Sequence, residues 1–507
     1  MSKIKTIEKK LRRFLREDQI ADHENQRLLY ARDMMSGNLL DIKAGVTPSL
    51  PDLICWPETT EEVSKIIKLA FQERIPVTPY GAGSGVSGGT IPLQAGIILD
   101  LKRMNKIEKI EEHEGRFLVT AQCGIIGMHL EEQLQHKDVT LGHFPSSILC
   151  ATLGGYLACR SAGQLSSKYG KIEDMVEDVE AVLPNGDIIG FGEEIPQYPH
   201  IKAKDLLVGT EGCLGIITRT RVKAWPLPQE TLWRGLEFKK LSDAFDAMRE
   251  ILQLGLRPAV MRLYDEVDTF LLTHGYDKKP KWWKKYLPEL PFKKFVGKKV
   301  HHLLFSNASL FQNTFETLSP KVILILGLEG NPQLTKVQLK TILDLSKKRS
   351  VRDLGAKPGL HWLKHRYSVS YKMPGVFLDD AFVDTIEVAS TWDRLPSLYQ
   401  NIRHALMPQA LVLAHFSHAY VDGCSIYFTI LSRTGKPDKD RDRYKELWQK
   451  AMEEALQVGA TISHHHGIGL LKAKFLPQEL ASGMEWYRNL KHTLDPKNIM
   501  NPGKMGL

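Results

Sequence analysis

The sequence predicts an α+β protein of two lobes, with a helical extension ahead of them. Three observations carry that prediction. The chain has 507 residues, beyond the size at which one hydrophobic core keeps growing. Helix-capping and hairpin signals are interleaved without a regular strand–helix alternation, which argues against a doubly wound parallel sheet. Past Pro226 the text turns more basic and aromatic and poorer in glycine up to about Gly459, which marks the second lobe.

Residues 1–45 read as basic helix: Ile4, Ile7, Leu11 and Leu15 recur at helical spacing, while Lys9, Lys10, Arg12, Arg13 and Arg16 fill the other positions. This segment is expected to be an appendage rather than part of a core. A first domain is expected over 46–226. Thr59 and Glu62 form a T-x-x-E capping box before a helix that runs to Arg74 and stops at Pro76. A short strand around Val77, strands at 97–101 and 117–121, and helices at 127–136 and 151–160 follow. Pro184-Asn185-Gly186-Asp187 is a hairpin signal. The second domain, 227–458, is expected to be a cap on an antiparallel sheet, with strands at 321–328, 381–389 and 425–431. The last segment, 459–507, is expected to return to the first lobe.

Composition narrows the class. An apolar share of 43% and a charged share of 25% are ordinary for a globular protein. The net charge of +9 comes without zinc-finger spacing, a heptad-plus-basic pattern or an RNA-module signature, so no nucleic-acid partner is expected. Six cysteines are scattered with no C-x-x-C pair, which fits a reducing cytoplasm. No secretory or membrane-spanning segment is expected.

The first chemical signal is Pro79-Tyr80-Gly81-Ala82-Gly83-Ser84-Gly85-Val86-Ser87-Gly88-Gly89-Thr90. Its glycines let successive backbone N–H groups converge on a pyrophosphate without Cβ interference. Gly83-x-Gly85-x-x-Gly88 also matches the dinucleotide fingerprint of a Rossmann fold. That fold requires a helix directly after the loop, and here Pro92 and Gly96 lead instead into Ile97-Ile98-Leu99.

Five further segments follow: Phe144-Pro145-Ser146-Ser147, Thr152-Leu153-Gly154-Gly155, Ser161-Ala162-Gly163, Tyr169-Gly170, and Gly209-Thr210-Glu211-Gly212 with Gly215-Ile216-Ile217. Together they resemble the FAD-binding domain of the vanillyl-alcohol oxidase, or p-cresol methylhydroxylase (PCMH), type. The resemblance implies that the loop and Thr152–Gly155 hold the pyrophosphate. Glu211, Gly212, Gly215, Ile216 and Ile217 would lie along the adenosine half, and Ser161, Ala162, Gly163 and Tyr169 beside the isoalloxazine. Pro145, Ser146 and Ser147 belong to the same cofactor set. Covalent members of the family carry a histidine in the first loop; none stands between Pro79 and Thr90, so noncovalent FAD is expected.

Near the C-terminus stands Ser463-His464-His465-His466-Gly467-Ile468-Gly469. On a regular strand or helix adjacent side chains diverge, so at most two of these histidines are expected to share a site. The run resembles that of alkyldihydroxyacetone-phosphate synthases, whereas the related D-2-hydroxyacid dehydrogenases carry a metal-binding glutamate where His465 stands. Arg257-Pro258-Ala259-Val260-Met261-Arg262 resembles the synthase arginine motif, and Asp422-Gly423-Cys424-Ser425-Ile426-Tyr427 the segment with its active-site tyrosine. The resemblance implies Tyr427, His464, His465, His466 and Arg262 as catalytic residues and Arg262, Lys372 and His415 as substrate-binding residues. Lys372 or Arg366 would replace an arginine of the family that has no clear counterpart. No metal is assigned, although His415-x-x-His418 leaves a metal pair open.

The implied reaction replaces the acyl group of acyl-dihydroxyacetone phosphate by a fatty alcohol through a flavin N5 adduct. The alternative is an FAD-linked oxidase or dehydrogenase of a D-2-hydroxy acid or other alcohol. A homodimer is compatible with either. Between Lys278 and Lys299, nine lysines alternate with Trp282, Trp283, Tyr286, Phe292 and Phe295, the composition of a peripheral contact with anionic membrane.

Overall fold

The computed structural model describes residues 3–191, 202–274, 321–368, 374–378 and 381–507. The chain forms two compact units: Met1–Leu227 with Ile462–Leu507, and Pro228–Thr461.

The first unit holds two sheets. One has the order β1-β2-β4-β3, with β1 Ile20–Ala21, β2 Leu53–Cys55, β3 Val77–Tyr80 and β4 Ile97–Asp100. β2 and β3 both run parallel to β4. The helix Thr60–Glu73 crosses between β2 and β3, which makes this sheet a local βαβ arrangement. Its cap is as expected: Thr59 Oγ1 accepts the Glu62 amide at 3.2 Å, and Arg74 ends the helix at φ +54°.

The second sheet runs β5-β6-β10-β8-β9, with β7 beside β10; the strands are β5 Ile107–His113, β6 Arg116–Gln122, β7 Val139–Thr140, β8 Val176–Val182, β9 Ile188–Ile189 and β10 Ile216–Pro226. The Pro184–Asp187 signal forms the β8–β9 turn, with the Leu183 amide donating to Asp187 O at 2.8 Å and Gly186 at φ +91°. These antiparallel pairings make the architecture α+β.

The N-terminal segment departs from expectation. Ile7, Leu11, Leu15 and Ile20 are buried in one core with Val63, Ile66, Ile67 and Ala70 of the Thr60–Glu73 helix. The apolar stripe that reads as an appendage covers this helix and the sheet behind it. Burying an apolar stripe outweighs the basic character of the other face. The C-terminal segment is tied to the same sheet: the Val77 amide donates to Ile499 O at 2.7 Å and the Asn501 amide to Val77 O at 2.8 Å.

The second unit is built on a seven-stranded antiparallel sheet of order β14-β11-β13-β12-β16-β17-β15. The strands are β11 Glu230–Phe238, β12 Val260–Tyr264, β13 Val322–Gly330, β14 Arg352–Asp353, β15 Phe382–Thr391, β16 Leu411–Ala419 and β17 Gly423–Ser432. Helices Leu395–Leu406 and Pro437–Gln457 pack against each other and against β15. β16 carries a register shift between Ser417 and Ala419, and the residue in it, His418, has φ +53°. None of the six cysteines is in a disulfide. Among the described residues no helix is long and apolar enough to cross a membrane. The lysine-rich segment 278–299 lies outside the described residues.

Candidate active site

In the first unit, β3 delivers the chain into the glycine-rich loop. Gly83 sits at φ +61°, and a Cβ there would stand 2.0 Å from the Tyr80 hydroxyl. A Cβ on Gly81 would stand 2.5 Å from Thr152 Oγ1. A Cβ on Gly85, by contrast, would meet only Asp33 Oδ2, at 3.7 Å. Among the described residues no amide from Gly83 through Ser87 donates to a backbone carbonyl. Free amides beside bare glycines suit an anion, and the loop therefore fits the diphosphate of FAD.

The second expected phosphate segment is built differently. Thr152 Oγ1 caps the helix Leu153–Cys159 by accepting the Gly155 amide at 3.2 Å. The Leu153 amide goes to Ile125 O and the Gly154 amide to Cys123 O. These three donors have partners within the chain, so they are not available to an anion.

Pro145, Ser146 and Ser147 form a turn in which Ser147 O accepts the Ala151 amide at 2.8 Å. Ala162 and Tyr169 are buried, and the Tyr169 ring lies 5.2 Å from that of Trp225. Gly212, at φ +75°, lies close under Pro79, where a Cβ would come within 2.2 Å of the proline ring. Ile216 and Ile217 begin β10, and a Cβ on Gly215 would lie 3.1 Å from Val182 O.

Glu211 reaches the histidine segment. Its carboxylate accepts the Ile468 amide at 2.5 Å and the Gly469 amide at 2.9 Å, directly after the triple histidine. Burial outweighs those amides and the nearby Lys472 and Lys504, and pushes its pKa up to about 7. Ser87 reaches the same segment: its hydroxyl donates to His466 O at 3.1 Å, and its carbonyl accepts the Leu470 and Leu471 amides. The glycine-rich loop and the histidine run are thus one hydrogen-bonded assembly.

The backbone at 461–467 is irregular. Strand alternation does not apply there, and the rings pack in series: His464 and His465 at 5.3 Å, His465 and His466 at 4.5 Å, both edge to face. His464 Nδ1 and His465 Nδ1 are 3.1 Å apart, within hydrogen-bond distance, with donor and acceptor set by their tautomers. Sequence reasoning missed His143. It is buried, its Nε2 stands 3.2 Å from Ser161 Oγ, and burial followed by the influence of His465 drives its pKa down to about 3. The available signal was its place one residue before the Phe144–Ser147 motif.

In the second unit three adjacent strands align the remaining candidates. β12 supplies Arg262 and Tyr264, β16 His415 and β17 Tyr427, with Tyr264 paired to His415 and His415 to Tyr427 in register. Arg262 donates through Nε to the Tyr264 hydroxyl at 2.8 Å and through Nη2 to His415 Nε2 at 2.6 Å. Asp268 Oδ2 lies 3.7 Å from His415 Nδ1. Burial raises the Asp268 carboxyl to about 7 against the pull of Arg262, and pushes Tyr427 up to about 12. Tyr264 and Asp268 are members of this cluster that the sequence did not single out. Arg366 lies with its guanidinium 4.6 Å over the Tyr367 ring. Lys372 lies outside the described residues.

Two family profiles cover this chain: one described as FAD binding domain over residues 51–192, and one described as FAD linked oxidases, C-terminal domain, over residues 227–505. This chain belongs to the FAD-linked oxidases. Within that family it is 30% identical to the alkyldihydroxyacetonephosphate synthase of Dictyostelium discoideum, with 98% of this chain aligned to 80% of that protein. A solved structure of an alkyldihydroxyacetonephosphate synthase superposes with a TM-score of 0.77 at 28% identity, covering 98% of this chain and 84% of the other. Substrate-bound p-cresol methylhydroxylase shares the fold at TM-score 0.75 and 18% identity, over 100% and 97% of the two chains. This FAD-linked oxidase is therefore an FAD-dependent enzyme of the PCMH-type fold, and FAD is its cofactor.

Proposed function

We propose that the enzyme exchanges the acyl group of acyl-dihydroxyacetone phosphate for a fatty alcohol, forming an ether-lipid precursor. The observation that carries this reading is the pair of replacements at the reactive positions. By the resemblance of the Ser463–Gly469 and Asp422–Tyr427 segments, His465 stands where the related D-2-hydroxyacid dehydrogenases carry a metal-binding glutamate, and Tyr427 where they carry a metal-binding histidine. The synthase names among the relatives support the same choice.

Bound FAD supplies a reactive ring nitrogen and an electron sink. The residues supply charge and proton handling. Arg262, with its guanidinium fixed by Tyr264 and His415, suits a phosphate, which a guanidinium binds through two N–H groups. Tyr427 has a raised pKa and keeps its proton at neutral pH, so it is the acid that assists departure of the fatty acid carboxylate. An imidazole of the His464–His466 run accepts the proton that the alcohol loses as its oxygen bonds to carbon. The net exchange is acyl ester plus alcohol to ether plus carboxylate and one proton.

The test incubates the flavin-loaded enzyme with acyl-dihydroxyacetone phosphate and labelled long-chain alcohol. Labelled ether and free fatty acid in equal amounts are expected. The competing reading, suggested by the oxidase family itself, is oxidation of a D-2-hydroxy acid; reduction of an electron-accepting dye by glycolate or D-lactate, with no ether formed, would replace the first reading by the second.

A further inference from the structure

The cofactor loop has a neighbour from outside the cofactor motifs. Asp33 belongs to the N-terminal segment, and that segment is fastened to the loop: the Met34 amide donates to Gly85 O at 2.8 Å. The Asp33 side chain is 3% exposed. Its Oδ1 accepts the Met35 amide at 3.0 Å and Asn38 Nδ2 at 3.1 Å. Its Oδ2 points toward the loop, in the direction a Gly85 Cβ would take, and among the described residues no donor meets hydrogen-bond geometry with it, the Gly88 amide favouring the charged carboxyl only through a looser contact. A carboxylate with one buried, unsatisfied oxygen is costly, and it stands beside the turn that receives a diphosphate.

We propose that Asp33 is a further residue of the cofactor site, whose carboxyl takes up a proton as the diphosphate of FAD enters the Gly83–Gly88 turn. The physical reason is like-charge repulsion across a buried gap. Two phosphate charges arriving beside a carboxylate favour its neutral form, and protonation removes both the repulsion and the unsatisfied lone pair. The loop is prepared for this step. Burial already lifts Asp33 to about 6, opposed by the amides of Met35 and Gly88 and by Lys504.

Other titratable groups act at the same place. Lys504, whose Nζ donates to Ile91 O at 2.7 Å, is held down to about 8 by burial and stays charged below neutral pH. Tyr80 and Cys159 feel the Asp33 charge and, raised by burial, stay neutral through pH 8. Glu211, at about 7, is a competing source of a proton in the same range. The inference rests on FAD binding alone and is independent of which reaction the enzyme performs.

The experiment titrates FAD into the full-length apo-enzyme and reads the quenching of flavin fluorescence. Wild-type affinity is expected to fall about tenfold between pH 5 and pH 7, the loss that one linked proton gives across a titration centred near 6. Asp33→Asn is expected to show a flat profile and to bind FAD more tightly than wild type at pH 7.5. Glu211→Gln serves as the control and should keep the wild-type slope. An Asp33→Asn profile parallel to wild type, or a slope abolished by Glu211→Gln instead, overturns the proposal. Should Asp33→Asn fail to fold, calorimetry of wild type in two buffers of different ionisation heat counts the protons directly. Uptake of about three-quarters of a proton at pH 6.5 is expected, and zero uptake overturns it.

Discussion

The rings of His415 and Tyr427 lie 4.8 Å apart at an interplanar angle of 21°, on paired residues of adjacent strands. The same imidazole accepts from Arg262 through Nε2 at 2.6 Å, and a nitrogen that accepts from a guanidinium carries no proton. His415 therefore connects a fixed cation to a buried phenol.

Replacing His415 by Phe should keep the ring on Tyr427 while removing the acceptor that fixes Arg262. A hydrogen bond to a charged group contributes about 1.5–3 kcal/mol, so KM for a phosphorylated substrate is expected to rise on the order of tenfold to a hundredfold. The kcat should change much less. An unchanged KM with a large loss of kcat would assign His415 to the chemical step instead of to the placement of Arg262.

Tyr427→Phe and His465→Ala should each lower kcat by roughly 10²–10⁴-fold, the effect of losing a positioned acid or base. Both variants should purify with bound flavin. Wild-type turnover of the true substrate in both would remove them from the reaction.

Stability should depend on pH in a window set by buried groups. Burial raises Glu211 and Asp268 to about 7 and Asp265 to about 8, so the folded state binds more protons than the unfolded one below those values. Their stabilisation is complete below the unfolded carboxyl range and is lost as pH rises through 7 to 8. His143 acts oppositely, because its folded pKa is depressed and stability falls as pH drops below about 6.5. Lys504, depressed to about 8, favours the folded state only at higher pH. Between pH 6.5 and 8 the carboxyls act alone, and the melting temperature should decline across that interval. A rise there would show that these carboxyls are ionised in the fold with their hydrogen-bond donors dominant.

The fold was legible where local chemistry dictates it. The Thr59 cap, the Pro184–Asp187 turn and β17 follow from signals within a few residues. β12 and β16 were not legible, because their partners are remote in sequence: Tyr264 meets His415 from another part of the chain. The site shows the same divide. The glycines of the loop announce themselves, whereas the clamp from Glu211 to Ile468 and Gly469 spans more than half the chain and leaves no local trace. Asp33 and His143 are ordinary polar letters in the text, and only burial makes them unusual. The basic N-terminal helix misleads because lysines dominate its composition while four apolar residues decide where it packs.

Gly85 separates the loop's role in cofactor binding from its role in folding. A Cβ on Gly83 would strike Tyr80 and sit at positive φ, so a substitution there disturbs the protein itself. At Gly85 a Cβ meets only ordinary contact with Asp33, and the larger obstruction falls on whatever enters the loop. Gly85→Val should therefore keep the apo-enzyme's melting temperature within a few degrees and purify colourless. Acid denaturation of wild type should release all its flavin. A yellow Gly85→Val protein would place the diphosphate elsewhere, and flavin left on the denatured chain would contradict noncovalent binding.

The lysine-rich segment from Lys278 to Lys299 leads to the last expectation. A basic residue near a membrane surface contributes about 1 kcal/mol with anionic lipid, so several of these lysines acting together should hold the enzyme on a vesicle. Trp282 and Trp283 are the side chains suited to the headgroup level. Sedimentation with anionic and zwitterionic vesicles, at low and high salt, tests this with wild type and with Lys281, Lys284, Lys285, Lys293 and Lys294 changed to Ser. Wild type should pellet with anionic vesicles at low salt and leave them at high salt, because the attraction is screened within a Debye length. The five-fold variant should remain in the supernatant throughout. Equal recovery of wild type in the supernatant with both lipids at low salt would reduce the segment to a solvated basic stretch.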